Sequence, residues 1–216
     1  MPMPEIRPLL VTELTTPEWH PLPNQDLPVF AFLVLHDGGP ILFDTGVGSS
    51  NDFIDREYRP RHHDLLAQLA SEGVSPADLV AVANSHLHFD HAGNNRTFEG
   101  TPTYVQRAEF EASSAPRYTI PEWIAHDDLD YRLLDGDHDL ASGVRLLSTP
   151  GHTPGHQSAL IETDRGVEAI VAQAAEDIED FTARAATDPS LARIIEARPI
   201  RLWFGHGPPS PWPRSG

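Results

Sequence analysis

Cysteine is missing from this 216-residue chain altogether. Its absence removes disulfides, thiolate nucleophiles and cysteine-bound zinc together, so any metal must be held by nitrogen and oxygen donors. Positive charge is also scarce: 15 Lys and Arg stand against 32 Asp and Glu, a formal charge of −17. Proteins gain affinity for nucleic acids by neutralising phosphates with clustered cations, and for acidic membranes in a similar way, so neither is an expected partner. The acids are spread along the chain, as a soluble and self-repelling surface requires. No apolar stretch approaches the roughly 20 residues of a membrane span. The start, Met1-Pro2-Met3-Pro4-Glu5-Ile6-Arg7-Pro8, lacks the basic residues and apolar core of a secretory signal, so a cytoplasmic location is expected. Without a Pro/Gly/Ser-rich linker, an internal repeat or a low-complexity tract, one domain spanning residues 1–216 is expected.

Apolar runs outline the scaffold. Residues 29–35 (VFAFLVL) and 41–43 (ILF), joined by HDGGP, read as a hairpin covered on both faces. Residues 64–72 have helical spacing and stop at Gly73, and Ser75-Pro76 starts a capped turn leading into an apolar stretch over 79–83. Helices are expected over 106–113, 176–186 and 189–197, the last opened by Asp188 as cap and Pro189 as first residue. Strands are expected over 144–148, 157–162, 167–172 and 200–204. The polar, poorly periodic stretch 115–139, with Trp123, His126 and Tyr131 embedded, is expected to be a long connection that caps the site.

The chemistry lies where these strands end. Ser85-His86-Leu87-His88-Phe89-Asp90-His91 puts three imidazoles and a carboxylate at the end of one strand. A Pro-Gly-His at 150–152 and a Phe-Gly-His at 204–206 follow two others. If the strands are neighbours, these loops bring together six donors: His86, His88, Asp90, His91, His152 and His206. One tetrahedral zinc takes four ligands and, in catalysis, leaves one place to water, so two metals are the simplest reading of the surplus. The donor types suit zinc, iron(II), manganese or cobalt and do not discriminate among them; zinc, as one or two ions, is the expected occupant. Of the remaining histidines, His62, His63 and His138 read as solvated loop residues, and His20 and His126 as candidates for a substrate pocket. His156 reads as a partner of the Pro-Gly-His loop, not a ligand.

HLHFDH, TPGHTPGH, the early Phe43-Asp44-Thr45-Gly46 and the late FGH together resemble the metallo-β-lactamase fold superfamily over residues 29–206. TPGHTPGHQS and ILFDTG are most similar to its N-acyl-homoserine lactonase branch, whose activity is of the quorum-quenching kind. The resemblance implies an α+β fold, an αββα sandwich: two mixed β-sheets packed face to face, helices on both outer sides, and the metal site at one edge. It implies that His86, His88 and His152 hold one metal and Asp90, His91 and His206 another, with Asp44 a structural loop residue nearby. It also implies a small-molecule substrate and metal-dependent hydrolysis of an ester, above all a lactone, with N-acyl-homoserine lactones among the candidates. Bound metal lowers the pKa of water towards ~7 and polarises the carbonyl; Asp90 is the expected catalytic residue, orienting the nucleophile and relaying its proton.

Two positions depart from the family pattern. Dinuclear members bridge their metals with an Asp after the strand that follows the Pro-Gly-His loop, and Gln173 occupies that place here. A neutral amide oxygen between two dications forgoes interactions worth on the order of several kcal/mol, so Gln173 is expected to leave the second site weaker than in dinuclear relatives or occupied by a different metal from the first. Asp177 is offset from that position by about a helical turn. Glu176 stands near where such lactonases place a Tyr that contacts the substrate carbonyl. Two other readings remain: a mononuclear iron persulfide dioxygenase of the same fold, and a catalytically weak metal-binding module, for which Gln173 is the sign.

Overall fold

The computed structural model describes residues 3–125 and 128–212. A first sheet has the order β4-β1-β2-β3-β5-β6-β7, from Arg61–His62, Glu5–Thr15, Asp26–Leu35, Ile41–Phe43, Ala81–Ala83, Thr103–Gln106 and Tyr131–Leu134. The second has the order β13-β12-β11-β10-β9-β8, from Ser210–Pro211, Arg201–Phe204, Gly166–Ala172, Gln157–Thr163, Val144–Ser148 and His138–Ala141. Both are mixed: β3, β5, β6 and β7 run parallel, as do β11 and β12, while the other pairings are antiparallel.

Alternation along the strands decides the layers, because successive side chains leave opposite faces. In β2, Phe32 and Val34 point inward to meet Leu146, Ile161, Ile170 and Trp203 of the second sheet. Ala31 and Leu33 point outward and pack with Ile54 of α1 (Asp52–Tyr58) and Leu65 and Leu69 of α2 (Leu65–Ser71). On the other side, Leu202 and Phe204 of β12 face outward against Phe181 of α5 (Ile178–Arg184) and Leu191 and Ile194 of α6 (Pro189–Glu196). The result is the expected αββα sandwich. Its helix starts follow from local chemistry: Asn51, Asp64, Asp177 and Asp188 each accept backbone N–H groups at a first turn.

The long strand β1 was not apparent in the sequence pattern. Its alternation is broken by a bulge between Leu10 and Thr12, and Pro8 lies inside it. The neighbour β4 pairs only with Thr12 and Glu13, so at Pro8 the outer edge is open and the missing N–H leaves no ladder bond unmade. The stretch 115–139 is also more than a connection. It carries the short α4 (Pro121–Ile124), the edge strand β7 and the start of β8, whose half-exposed residues give no apolar run. His62 and His138 accordingly lie in strands, and His138 stacks on Tyr104 at 5.5 Å. His126 lies outside the described residues.

The ends of β3, β5, β11 and β12 open on one edge, where backbone bonds hold the loops together. Gln157 N–H donates to Ser85 O at 2.8 Å and Phe30 N–H to Gly205 O at 2.9 Å, each crossing between the sheets. The loop after the HLHFDH motif lies against the one after β3: Gly93 N–H donates to Gly46 O at 2.8 Å. A Cβ on Gly93 would fall 2.0 Å from the nitrogen of Gly48 and 2.6 Å from the oxygen of Phe89. Backbone cannot yield as a flexible side chain can, so Gly93→Ala should cost about 3 kcal/mol in chemical denaturation. Gly151→Ala, where a Cβ meets nothing within 4 Å, should stay within about 0.5 kcal/mol of wild type.

Candidate metal centre

The three histidine-bearing loops converge. His86, His88 and His152 bring one donor atom each to within 4.8 Å of one another, and Asp90, His91 and His206 form a second such set. In the first, His88 Nδ1 lies 3.0 Å from His86 Nε2 and 3.2 Å from His152 Nε2. In the second, His206 Nε2 lies 3.2 Å from His91 Nε2 and 3.3 Å from Asp90 Oδ2. Ligands of a tetrahedral zinc, with bonds of about 2.05 Å, sit about 3.3 Å apart, so both donor sets have the spacing that one ion each would need. The rings of His86 and His91 are 4.3 Å apart, which makes the two sets neighbours.

The remaining ring nitrogens are engaged in a way that frees these donors. Asp44, completely buried, accepts from Ser85 N–H at 2.6 Å, Ser85 Oγ–H at 2.8 Å and His91 Nδ1 at 2.8 Å. With its hydroxyl proton spent on Asp44, Ser85 Oγ is left to accept from His86 Nδ1 at 2.9 Å. His206 Nδ1 donates to the carbonyl of Pro28 at 2.9 Å. Each imidazole thus turns its Nε2 towards its set, the arrangement by which carboxylates and carbonyls orient metal-ligating histidines. Asp44 therefore aims one donor of each set instead of merely lying near them.

Burial divides the two sets electrostatically. In the first, desolvation holds His86 well below the usual imidazole range, and burial together with the charges of His88 and His91 puts His152 at about 4, so these imidazoles are neutral at pH 7. In the second, burial alone would depress His91, but the Asp90 and Asp44 carboxylates prevail and raise it to about 9. Burial works the other way on Asp90, yet His91 and His206 keep it far below the ordinary carboxylate range.

Gln173 sits beside this centre, on a backbone bend. Ala172 has φ 51, the left-handed region that an Ala side chain disfavours, and turns the chain at the end of β11. Gln173 N–H donates to His156 Nε2 at 3.3 Å, and Gln173 Oε1 is buried without a hydrogen-bond partner. An orphaned buried acceptor next to two sets of cation donors suits an ion as its missing partner. Asp177 is otherwise employed: its carboxylate caps α5 through Glu179 N–H at 2.9 Å and Asp180 N–H at 2.8 Å. His156 also bonds Thr149 Oγ1 at 2.9 Å, and His20 turns back on its own loop, accepting from Leu22 N–H at 3.1 Å. From the stretch 115–139, Tyr118 reaches the centre, its ring 4.8 Å from that of His88. Its role had no signal in the sequence beyond an aromatic in a polar run.

Facing sheets flanked by helices, with two nitrogen-rich donor sets at one edge, define a metallohydrolase-type αββα sandwich. The chain belongs to the metallo-beta-lactamase superfamily, whose family model matches residues 24–182. It is 37% identical to an N-acyl homoserine lactonase of a Bacillus species over 206 residues, 84% of this chain and 82% of that protein. A lactonase of Bacillus cereus is 36% identical over the same shares. Among solved structures, an N-acyl homoserine lactone hydrolase with N-hexanoyl-L-homoserine at its catalytic metal centre superimposes with TM-score 0.78 at 33% identity, covering 95% of this chain and 94% of its own. A Bacillus thuringiensis lactonase variant with N-decanoyl-L-homoserine at its active site gives 0.81 at 32% identity over 95% and 94%.

The electrostatics of the metal-free centre are testable. Because the folded pKa of His91, about 9, exceeds its unfolded value of about 6.5, the stabilisation it contributes is complete below pH 6.5 and is lost as pH rises through 9. The melting temperature of chelator-treated protein should therefore fall between pH 7 and pH 9.5, and His91→Gln should flatten that decline.

Proposed function

We propose that this chain is a metal-dependent lactonase acting on N-acyl-homoserine lactones, with His86, His88 and His152 holding one divalent ion and Asp90, His91 and His206 the other. The observation that carries the reading is the pair of donor sets at tetrahedral spacing, neighbours of one another at one rim. A divalent ion bound there, zinc foremost, would activate water and polarise the lactone carbonyl. Asp90 is held anionic by its neighbours, so it orients the attacking water by accepting its hydrogen bond and passes the proton on without retaining it. His152 is exposed and His88 partly so, which leaves the three-histidine set open to an approaching carbonyl.

An acyl chain has an apolar path to follow. Phe89, inside the donor loop, packs on Tyr58 at 4.8 Å, and Tyr58 meets Trp19 at 5.9 Å. Trp19 is 60% exposed, so this aromatic run continues from the centre to the surface. The persulfide dioxygenase reading is not favoured: two complete donor sets exceed what a mononuclear iron needs, and the relatives named above are lactonases.

Two measurements test this. Zinc-loaded protein should open a medium-chain acyl-homoserine lactone in a pH-stat assay, chelation should abolish the activity, and added zinc should restore it. No acid release from any lactone by metal-replete protein would overturn the reading. Gln173→Asp should tighten the weaker ion by about tenfold or more, because it returns a negative charge to the centre. Equal, full occupancy of both sites in wild type and variant would show that Gln173 does not govern the second ion.

A further inference from the structure

We propose that Glu109 is a positioning residue whose buried carboxylate fixes the spacing of the His86/His88/His152 set alone, leaving the Asp90/His91/His206 set to other partners. The inference rests on the reading that these sets hold metal ions. Glu109 lies in α3 (Arg107–Ala112), completely buried, and among the described residues its hydrogen-bond partners are all neutral. A carboxylate shut away from water without a cation is tolerated only if its lone pairs are filled, and here four donors fill them. Oε1 accepts from Leu87 N–H at 2.8 Å and from the Tyr118 hydroxyl, and Oε2 from Thr153 Oγ1 at 2.6 Å and Gly155 N–H at 3.2 Å.

The origin of those donors gives the carboxylate its role. Leu87 stands between His86 and His88, Thr153 follows His152, and the Tyr118 ring packs against His88. One anion therefore ties together the two loops that supply the three-histidine set. The contact is built closely: a Cβ on Gly155 would fall 2.1 Å from Glu109 N and 2.5 Å from Glu109 Cβ, so only glycine lets the hairpin loop lie flush on α3. His91 and His206 are aimed instead by Asp44 and the Pro28 carbonyl, and neither of those touches Glu109.

Glu109→Gln keeps the size but presents an NH2 group to one pair of donors, and a backbone N–H cannot turn round to accept from it. Zinc stoichiometry after dialysis against a competing chelator should fall by one ion per chain, through a 10- to 100-fold loss of affinity at one site. In a His206→Gln background, which leaves only the three-histidine set complete, Glu109→Gln should remove the remaining ion. In a His88→Gln background it should leave zinc content unchanged. Cobalt(II) absorption in the same variants reports which site is lost. Thr153→Val, with one tether removed and little volume changed, should weaken the same ion to a smaller degree and decides the matter if Glu109→Gln fails to fold. Loss of both ions together, retention of both at wild-type affinity, or a wild type that holds no metal would overturn the proposal. A wild type that holds two ions but opens no lactone would refute the substrate reading and not this one.

Discussion

The carboxylate of Asp44 is the constraint on which the centre depends. It is an anion with no exposed surface, and it takes a backbone N–H, a hydroxyl and an imidazole N–H at 2.6 to 2.8 Å. An unpaired charge in such a place would cost several kcal/mol, so these groups cannot drift from it without penalty. Because Ser85 also engages His86, one buried acid sets the ring orientation of a donor in each set. The backbone accommodates this at some expense: Asp44 itself has φ 62, a conformation that Asp tolerates better than most residues. Strand β3 thus ends in a turn that points that carboxylate inward while its next residue bonds the donor loop, Thr45 N–H to His91 O at 2.7 Å.

How much of this could be read from the sequence follows from which signals are chemical and which are geometric. The donor loops were legible because histidine-dense strings are rare and their chemistry narrow, β2, β3, β5, β11 and β12 because strands buried on both faces read as apolar runs, and β9 and β10 because their buried Val, Leu and Ile cluster despite an exposed Arg145 and Glu162. Strand β1 was hidden by a bulge that shifts its alternation by one residue and by Pro8. Strands β7 and β8 were hidden because edge strands bury too little to need apolar residues. Glu109 was invisible for a third reason. In the pattern QRAEFEA it looks like any solvated helix acid, and only tertiary contact with residues 87, 118, 153 and 155 removes it from water.

The two donor sets differ in charge before any ion arrives. The first offers three imidazoles, with His86 and His152 already neutral at pH 7, so a dication entering it displaces no proton from either but meets no compensating anion among its donors. The second contains Asp90, which attracts a dication, and His91, which must first surrender a proton that two carboxylates stabilise. Attraction and proton displacement oppose each other there, and a neutral amide at residue 173 adds nothing to the attraction. On the reading that each set binds an ion, this asymmetry is a physical reason to expect the two sites to differ in affinity.

The acidity of the chain acts on such chemistry locally. At physiological ionic strength charges are screened beyond about 8 Å, so a formal charge of −17 spread over the whole surface does little at the rim. Glu176 is different: its field is felt at both His91 and His152, which places an exposed carboxylate within reach of each donor set. On the lactonase reading the substrate is neutral and its ring-opened product carries a carboxylate. A fixed negative charge at the mouth leaves the approach of the first almost unaffected and repels the second. Where relatives of this kind are expected to place a tyrosine hydroxyl, Glu176 would on that reading exchange a hydrogen-bond donor to the bound ester for repulsion of the product, favouring release over tight binding.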